Sequence, residues 1–177
     1  MKASRAEIIS YIFNKIHTLY SESECKLIAR MVAASLSNEA ESKYLIEPNE
    51  IIEIEGVEKC AEELAAGRPV QYVIGRAEFC GEEFFVREGV LIPRADTEIL
   101  VEEAIKILPN GARFLDLCTG SGALAIAIYK RLEESNRKVK MTAVDISEDA
   151  LALAKENAEL NGAAVKFVQS DLFEKLD

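Results

Sequence analysis

The segment from Asp116 to Gly122 constrains the fold of this chain more than any other, because it sets a glycine turn between two structured runs. Residues 113–115 lead into the turn, and an alanine-rich run over residues 123–128 follows it. Gly120 and Gly122 can adopt backbone angles that are closed to other residues, and they let the main chain approach a ligand closely. The order strand, turn and helix therefore predicts a ligand cradle at a helix N-terminus, where unpaired N–H groups face the bound molecule.

Strands and helices alternate through the second half of the chain. Strands are predicted over residues 113–117, 139–145 and 165–169, and helices over about 121–133 and 148–160. This alternation indicates an α/β fold with a parallel sheet and right-handed crossovers. Three strands do not complete such a domain, so we expect the chain to be a fragment or a truncated form of a longer protein.

The first half of the chain is predicted to be mostly helical. Apolar residues recur there at spacings of three and four, which is typical of amphipathic helices, and we expect a small helical bundle over residues 1–67. A short helix is expected over residues 51–54. The alternation over residues 70–74 predicts a strand, and residues 68–94 are predicted to form a β-hairpin linker that turns near Gly81.

Composition narrows the possible function classes. Apolar residues make up 49% of the chain, enough for a packed core, and the formal net charge is −10. This acidity argues against broad contact with nucleic acid and fits a basic protein partner better. No apolar run reaches membrane-spanning length, so no membrane contact is predicted. Four scattered cysteines and a single His predict no metal site and indicate a reduced, cytoplasmic protein.

One acidic residue lies at or just after the end of each predicted strand, namely Asp116, Asp145 and Asp171. Ligands of open parallel sheets bind outside these strand ends. Asp116 is placed to reach a ligand's ammonium group, and Asp145 to bind ribose hydroxyls. The three acids favour S-adenosylmethionine, although residues 120–125 also fit a dinucleotide-binding glycine pattern. A plainer interpretation, in which the acids only cap turns, stays open.

Several segments together resemble the HemK-type glutamine N5-methyltransferases, which modify the Gln of the Gly-Gly-Gln motif in peptide chain release factors. The similarity lies in the Pro-Arg-x-Asp-Thr-Glu segment within residues 92–98, in residues 114–122 and 143–147, and upstream in residues 67–75. It implies a class I S-adenosylmethionine-dependent methyltransferase with a helical N-terminal domain, of which residues 95–177 form the first half of the Rossmann-like domain. It also implies a release factor as protein partner.

The resemblance also assigns a set of cofactor-binding residues: Arg94, Asp116, Cys118, Thr119, Gly120, Ser121, Gly122, Asp145, Asp171 and Leu172. Ala95 and Cys118 depart from the family, which usually has Pro and often has Gly at these positions. The Asn-Pro-Pro-Tyr motif, which in the family holds the substrate amide, does not occur in the 177 residues. We therefore assign no catalytic residue and expect no turnover by this chain alone.

Three alternatives stay open at this point. A nucleic-acid adenine-N6 methyltransferase would share the Asn-Pro-Pro-Tyr motif, but the net charge of −10 argues against it. Asp116 argues against an NAD-dependent oxidoreductase, and a non-catalytic binding module is the third alternative. Residues 1–66 carry seven Lys or Arg and twelve acids. This acidic surface is predicted to dock the protein substrate, although a merely solvated surface is the plainer interpretation.

Overall fold

The computed structural model describes residues 1–176, and contacts within the chain group them into two compact units. The first unit runs from Met1 to Ile74, and the second begins at Gly75. The division falls inside the segment 68–94 that is predicted as a linker. The start of that segment belongs to the helical unit, and the hairpin belongs to the second unit.

Helices make up most of the first unit. They are α1 (Arg5–Ile16), α2 (Glu22–Ser37), α3 (Lys43–Ile46), α4 (Val57–Ala65) and α5 (Val70–Ile74). The first two helices each begin with a capping box, in which Ser4 and Glu7, or Ser21 and Glu24, exchange hydrogen bonds. These caps satisfy N–H groups that have no partner inside the helix, so they fix where both helices start.

A small two-stranded sheet takes the place of one predicted helix. Strand β1 (Lys2–Ser4) pairs antiparallel with β2 (Ile51–Glu53), so the prediction of a helix over residues 51–54 is wrong. A helical turn must fix several residues before its first hydrogen bond forms, whereas a short segment beside a partner strand gains bonds at once. Pairing with the chain terminus therefore decides the structure of this segment.

The segment over residues 70–74 is the helix α5, so the predicted strand is also wrong there. The amide of Val73 donates to the carbonyl oxygen of Pro69 at 3.2 Å. Val70, Val73 and Ile74 pack against the core of the first unit. Their spacing of three and four residues places them on one helical face. Packing of that face outweighs the two-residue alternation seen in the sequence.

The side chain of Arg5 is buried at the start of α1 and is surrounded by acceptors. Its guanidinium donates to Glu39 Oε1 at 2.9 Å, to Glu50 Oε2 at 2.5 Å and to the carbonyl oxygen of Glu47 at 3.2 Å. The hydrogen bonds from Arg5 lower the pKa of both Glu39 and Glu50. The buried cation is tolerated because it is paired, and it ties the start of α1 to the segment around Glu47.

The second unit opens with the hairpin and continues as an α/β sheet. Its elements are β3 (Arg76–Phe79), β4 (Glu82–Phe85), α6 (Glu98–Ile107), β5 (Ala112–Leu117), α7 (Ala123–Glu134), β6 (Val139–Asp145), α8 (Glu148–Leu160) and β7 (Val165–Gln169). Strands β5, β6 and β7 lie side by side in that order and run parallel. The predicted α/β class and the predicted parallel sheet are confirmed.

Helices α6, α7 and α8 contribute to a core on one face of this sheet. Met141 and Ala143 of β6 are buried there with Ile126 of α7. Phe79 and Phe84 of the hairpin join the same core and form an edge-to-face pair with ring centroids 6.1 Å apart. The hairpin is thus packed into the second unit. None of the helices in residues 1–176 is both long and apolar enough to cross a membrane.

Candidate cofactor site

The glycine turn between β5 and α7 is held in place by main-chain hydrogen bonds. Cys118, Gly120 and Gly122 have φ angles of 58°, 57° and 80°, in the left-handed region. The amide of Thr119 donates to the carbonyl oxygen of Val144 in β6 at 2.9 Å, and the amide of Gly122 donates to the carbonyl oxygen of Thr119 at 2.9 Å. The turn therefore lies across the carboxyl ends of β5 and β6, at the N-terminus of α7.

Gly122 is the position in the turn where a side chain would not fit. A Cβ atom there would lie 3.0 Å from Cβ of Ala154 in α8 and 3.1 Å from Cδ1 of Ile126. Both distances are shorter than ordinary van der Waals contact, and the φ of 80° is itself unfavourable for other residues. Glycine is therefore required here by the close approach of α7 and α8 as well as by the turn.

Asp116 is a buried carboxyl group at the end of β5, with only 6% of its surface exposed. Thr119 Oγ1 donates to Asp116 Oδ2 at 2.6 Å, and the amide of Ala125 in α7 also donates to this carboxyl. Burial nevertheless raises the pKa of Asp116 above its ordinary value, and the nearby charge of Asp145 adds to that rise. A cation placed beside Asp116 would offset the cost of burying its negative charge.

The carboxylate of Asp145, at the end of β6, holds two backbone amides. Gly120 N–H donates to Oδ2 at 2.8 Å, and Ser147 N–H donates to Oδ1 at 3.0 Å. The carbonyl oxygen of Asp145 accepts from the amide of Ser170, at the end of β7, at 3.1 Å. Asp145 thus connects three strand ends at one edge of the sheet. Each carboxylate oxygen still has a free acceptor position, because it accepts only one of these bonds.

A cavity of about 240 Å³ opens beside the turn. Its lining includes six of the predicted cofactor-binding residues, namely Arg94, Asp116, Cys118, Thr119, Gly120 and Ser121. Arg94 is exposed and forms an ion pair with Asp96, with Nε and Oδ1 3.4 Å apart. Pockets that enclose a whole small-molecule ligand usually measure about 300–1,000 Å³, so this cavity has room for one end of such a ligand.

The other four predicted residues lie outside the lining of this cavity. Asp145 reaches the cavity wall through its hydrogen bond to Gly120, and Gly122 is turned toward α8. Asp171 and Leu172 follow β7 on the exposed surface, and Leu172 has a left-handed φ of 46°. The structure therefore brings Asp145 to the turn but leaves Asp171 and Leu172 apart from the cavity.

One residue that supports the turn is missing from the sequence prediction. Asn157 of α8 is fully buried, and its Nδ2 donates to the carbonyl oxygens of Ser121 at 2.9 Å and Phe85 at 3.1 Å. The amide of Phe85 donates back to Asn157 Oδ1 at 2.7 Å. One turn later, Asn161 donates to the carbonyl oxygen of Glu83 at 2.9 Å. Asn157 therefore joins the glycine turn to the hairpin strand β4.

The sequence does contain a signal for this role. Asn157 lies three to four residues from Leu153 and Ala154, and it is followed by Ala158, all of them buried on α8. A polar amide at a buried position of an apolar helix face must find hydrogen-bond partners inside the protein. The pattern identifies Asn157 as a bonded core residue, although only the structure shows which backbone groups it holds.

Comparisons with known proteins agree with this architecture. A family model described as "Methyltransferase domain" matches residues 108–177. The chain is 44% identical over 125 residues to the release factor glutamine methyltransferase of Geobacter sulfurreducens, covering 65% of this chain and 43% of that protein. It is 35% identical over 169 residues to the protein of the same name from Bacteroides thetaiotaomicron, covering 94% of this chain and 59% of that protein.

Solved structures include a more distant likeness. The ribosomal protein L11 methylase of Lactobacillus delbrueckii subsp. bulgaricus is 31% identical to this chain, with a TM-score of 0.39, and the match covers 48% of this chain and 42% of the methylase. The two curated relatives are similar to most of this chain, but the chain spans only about half of their length. The similarity therefore extends over both structural units and over part of each relative.

Proposed function

We propose that this chain, which belongs to the same family as the release factor glutamine methyltransferases, carries the cofactor-binding part of an S-adenosylmethionine-dependent methyltransferase. Its protein substrate would be a peptide chain release factor, with the glutamine of the Gly-Gly-Gln motif as the methylated residue. The buried carboxyl of Asp116, beside a glycine turn at the carboxyl edge of a parallel sheet, is the structural observation that carries the cofactor proposal.

The residues around the turn fit S-adenosylmethionine chemically. Asp116 is a desolvated carboxyl with a raised pKa, and the cofactor's ammonium group would supply the cation that it lacks. The start of α7 carries the partial positive charge of a helix N-terminus, which suits the cofactor's carboxylate. Asp145 keeps free acceptor positions for ribose hydroxyls. The cofactor contributes an electrophilic methyl group on a sulfonium.

The chain's own residues would contribute binding and orientation. An amide nitrogen is a poor nucleophile because its lone pair is delocalised, so holding it in line with the methyl group supplies much of the rate. Asp145 fixes the turn through Gly120, and Asn157 fixes the same turn through Ser121. A turn held from both sides keeps the cofactor in one position while the substrate approaches.

The similarity to longer relatives supports the substrate. Both relatives named above carry the release factor in their names, and one of them matches 94% of this chain, including the acidic helical unit. That unit is proposed to dock the release factor through its acidic surface. A cytoplasmic location is proposed with it, since all four cysteines are free thiols.

The cofactor proposal is tested by calorimetric titration of the 177-residue chain with S-adenosylmethionine and, separately, with NAD. We expect saturable binding of S-adenosylmethionine alone. Asp145→Asn should weaken it at least ~10-fold, the scale expected for losing one charged hydrogen-bonding group. Asp149→Asn is the matched control, because Asp149 is an exposed acid four residues further along the chain and, within residues 1–176, makes no hydrogen bond to the glycine turn. Binding of NAD instead would overturn the proposal.

The substrate proposal needs a complete methyltransferase domain. A chimera can join this chain to the part of the Geobacter sulfurreducens relative that it does not span. We expect the chimera to transfer a labelled methyl group from S-adenosylmethionine to a release factor, and to lose that transfer when the Gln of the Gly-Gly-Gln motif is replaced by Ala. Labelling that survives this replacement would contradict the proposed target, even if cofactor binding is retained.

A further inference from the structure

Two segments besides the glycine turn line the cavity of about 240 Å³. One is the hairpin, which contributes Phe79 at the end of β3. The other is residues 91–94 together with Thr97, just before α6 begins at Glu98. Phe79 is almost fully buried, and its ring packs edge-to-face on Phe84. The shape of this part of the cavity therefore depends on how the hairpin is held against the start of α6.

The side chain of Glu98 joins these two segments. Its Oε1 accepts a hydrogen bond from the amide of Cys80 at 2.8 Å. Cys80 directly follows Phe79 and forms the hairpin turn with Gly81, and both turn residues have left-handed φ angles, of 54° and 79°. Because Cys80 lies in the turn, outside the strand pairing, its amide needs a partner of another kind. Glu98 supplies that partner from the first residue of α6.

Two other charged side chains lie close to the same turn. Arg131 of α7 donates from Nη2 to the carbonyl oxygen of Cys80 at 2.8 Å. Burial raises the pKa of the Cys80 thiol to about 11, and the charges of Glu98 and Glu102 add to that rise. Glu102 is therefore near Cys80 as well, but within residues 1–176 it makes no hydrogen bond to the hairpin. The bond to the Cys80 amide distinguishes Glu98 from this neighbour on α6.

We propose that Glu98 is a positioning residue of the cofactor cavity, which fixes Phe79 through Cys80 and keeps it in register with Thr97 at the start of α6. Glu98 itself does not line the cavity, so it acts through these neighbours. The inference rests on the proposed binding of S-adenosylmethionine, whose amino-acid end would enter the cavity beside Asp116.

The physical reason is the cost of an unpartnered amide. Without the carboxylate of Glu98, the amide of Cys80 loses its acceptor, and the turn would shift to bring that amide to water. Phe79 precedes Cys80 directly and would shift with it. A site whose supporting contacts are loose loses affinity even when every residue that touches the ligand is still present. The end of the cofactor inside the cavity should therefore be affected, and the rest of the cofactor should not.

The test compares two ligands of the 177-residue chain in calorimetric titrations. S-adenosylhomocysteine carries the amino-acid part, 5′-methylthioadenosine lacks it, and both are uncharged at sulfur. We expect Glu98→Ala to weaken the binding of S-adenosylhomocysteine at least ~10-fold, the scale of one lost hydrogen bond to a charged group, and to leave the affinity for methylthioadenosine unchanged. Glu98→Gln keeps an acceptor for the Cys80 amide, so it should bind both ligands as the native chain does.

Glu102→Ala is the matched control, because it removes the same charge one turn later on α6. Circular dichroism of each variant establishes that it is folded. Glu98→Asp is a second variant, which draws the acceptor back by one methylene group and should act in the same direction as Glu98→Ala if the latter does not fold. Hydrogen exchange of the Cys80 amide reports the bond without any ligand, and it should become faster in Glu98→Ala.

Each outcome decides the proposal. Weaker binding of S-adenosylhomocysteine in Glu98→Ala, with native affinity in Glu98→Gln and Glu102→Ala, supports it. Native affinity in Glu98→Ala, or an unchanged exchange rate of the Cys80 amide, overturns it and leaves the proposed cofactor intact. Equal loss of both ligands would indicate a general change of the fold, and loss in Glu98→Gln would indicate that charge matters instead of the hydrogen bond; both results also overturn it. A native chain that binds neither ligand would overturn the proposed cofactor and this inference together.

Discussion

Replacement of Asn157 by Ala should loosen the glycine turn and the hairpin at the same time. The amide side chain of Asn157 makes three hydrogen bonds to backbone groups, two with Phe85 and one with Ser121. Alanine keeps the helix but removes all three bonds. Asn157 is fully buried, so water at the surface does not reach the groups that lose these bonds. The change therefore loosens the glycine turn and the strand β4, and it replaces no residue that lines the 240 Å³ cavity.

The expected loss is about 3 kcal/mol of unfolding free energy. Each hydrogen bond contributes about 1 kcal/mol net, and a buried backbone group left without a partner costs about 1–3 kcal/mol. The better helix propensity of Ala returns at most about 0.7 kcal/mol. Asn157→Asp is a sharper variant of the same shape. It keeps the acceptor for the Phe85 amide but loses both donor bonds and buries a charge, so its loss should be at least as large as that of the Ala variant.

Urea denaturation gives the global loss, and hydrogen exchange of the Phe85 amide gives the local one. In the native chain this amide donates to Asn157, so its exchange should become much faster in Asn157→Ala. Asn14→Ala is the control, since Asn14 is exposed on α1 and surface substitutions usually change stability by less than about 0.5 kcal/mol. A loss below about 1 kcal/mol, or an unchanged Phe85 exchange rate, would refute the role given to Asn157.

Two further predictions concern the turn itself. Gly122→Ala should cost roughly 2–5 kcal/mol in urea denaturation, from about 1–2 for a left-handed non-glycine residue and about 1–3 for overpacking against α8. Gly162→Ala, where the φ is 62° and nothing lies within 4 Å, should cost only the first of these, and equal losses would contradict the packing argument. The second prediction concerns Asp116→Asn. Because the pKa of Asp116 is raised in the folded protein, its carboxyl group stabilises the fold at low pH, and that contribution is lost as the pH rises through the folded pKa. The unfolding free energy of the variant relative to that of the native chain should therefore increase as the pH rises above about 4, the pKa of Asp in an unfolded chain. Unfolding free energies of the two proteins that change in parallel with pH would refute this prediction.

Much of the fold could be predicted because the second unit combines two independent signals. The period of apolar residues identified strands and helices, and the glycine turn fixed where β5 ends and α7 begins. The observed strands Val139–Asp145 and Val165–Gln169 coincide with their predicted ranges. Short segments of the first unit were harder, because their conformation depends on partners far away in sequence. Ile51–Glu53 is a strand only because Lys2–Ser4 lies beside it.

Residues of the candidate site could be predicted where the residue type itself indicates the chemistry, as with carboxylates at strand ends. Residues that act by binding backbone groups were harder to predict. Asp116 and Asp145 are carboxylates at strand ends, and the structure places both next to the glycine turn. Asp171 has the same sequence context but lies away from the cavity lining, since the chain beyond β7 turns to the surface. Asn157 stands at a buried position of α8, which marks it as a hydrogen-bonded core residue, but the sequence does not show that its partners are backbone groups of Phe85 and Ser121.

The residues at and around the glycine turn have opposite effects on the free energy of unfolding. Asp145 and Asn157 stabilise the turn by satisfying backbone donors and acceptors, whereas Asp116 costs stability because its charge is buried with only two hydrogen-bond donors. A protein selected for stability alone would place an uncharged residue at position 116. A buried carboxyl kept beside a firmly held turn is what the proposed binding of the cofactor's ammonium group requires. The same logic separates Asp116 from Asp145: replacing Asp116 should change ligand affinity more than stability, and replacing Asp145 should reduce both.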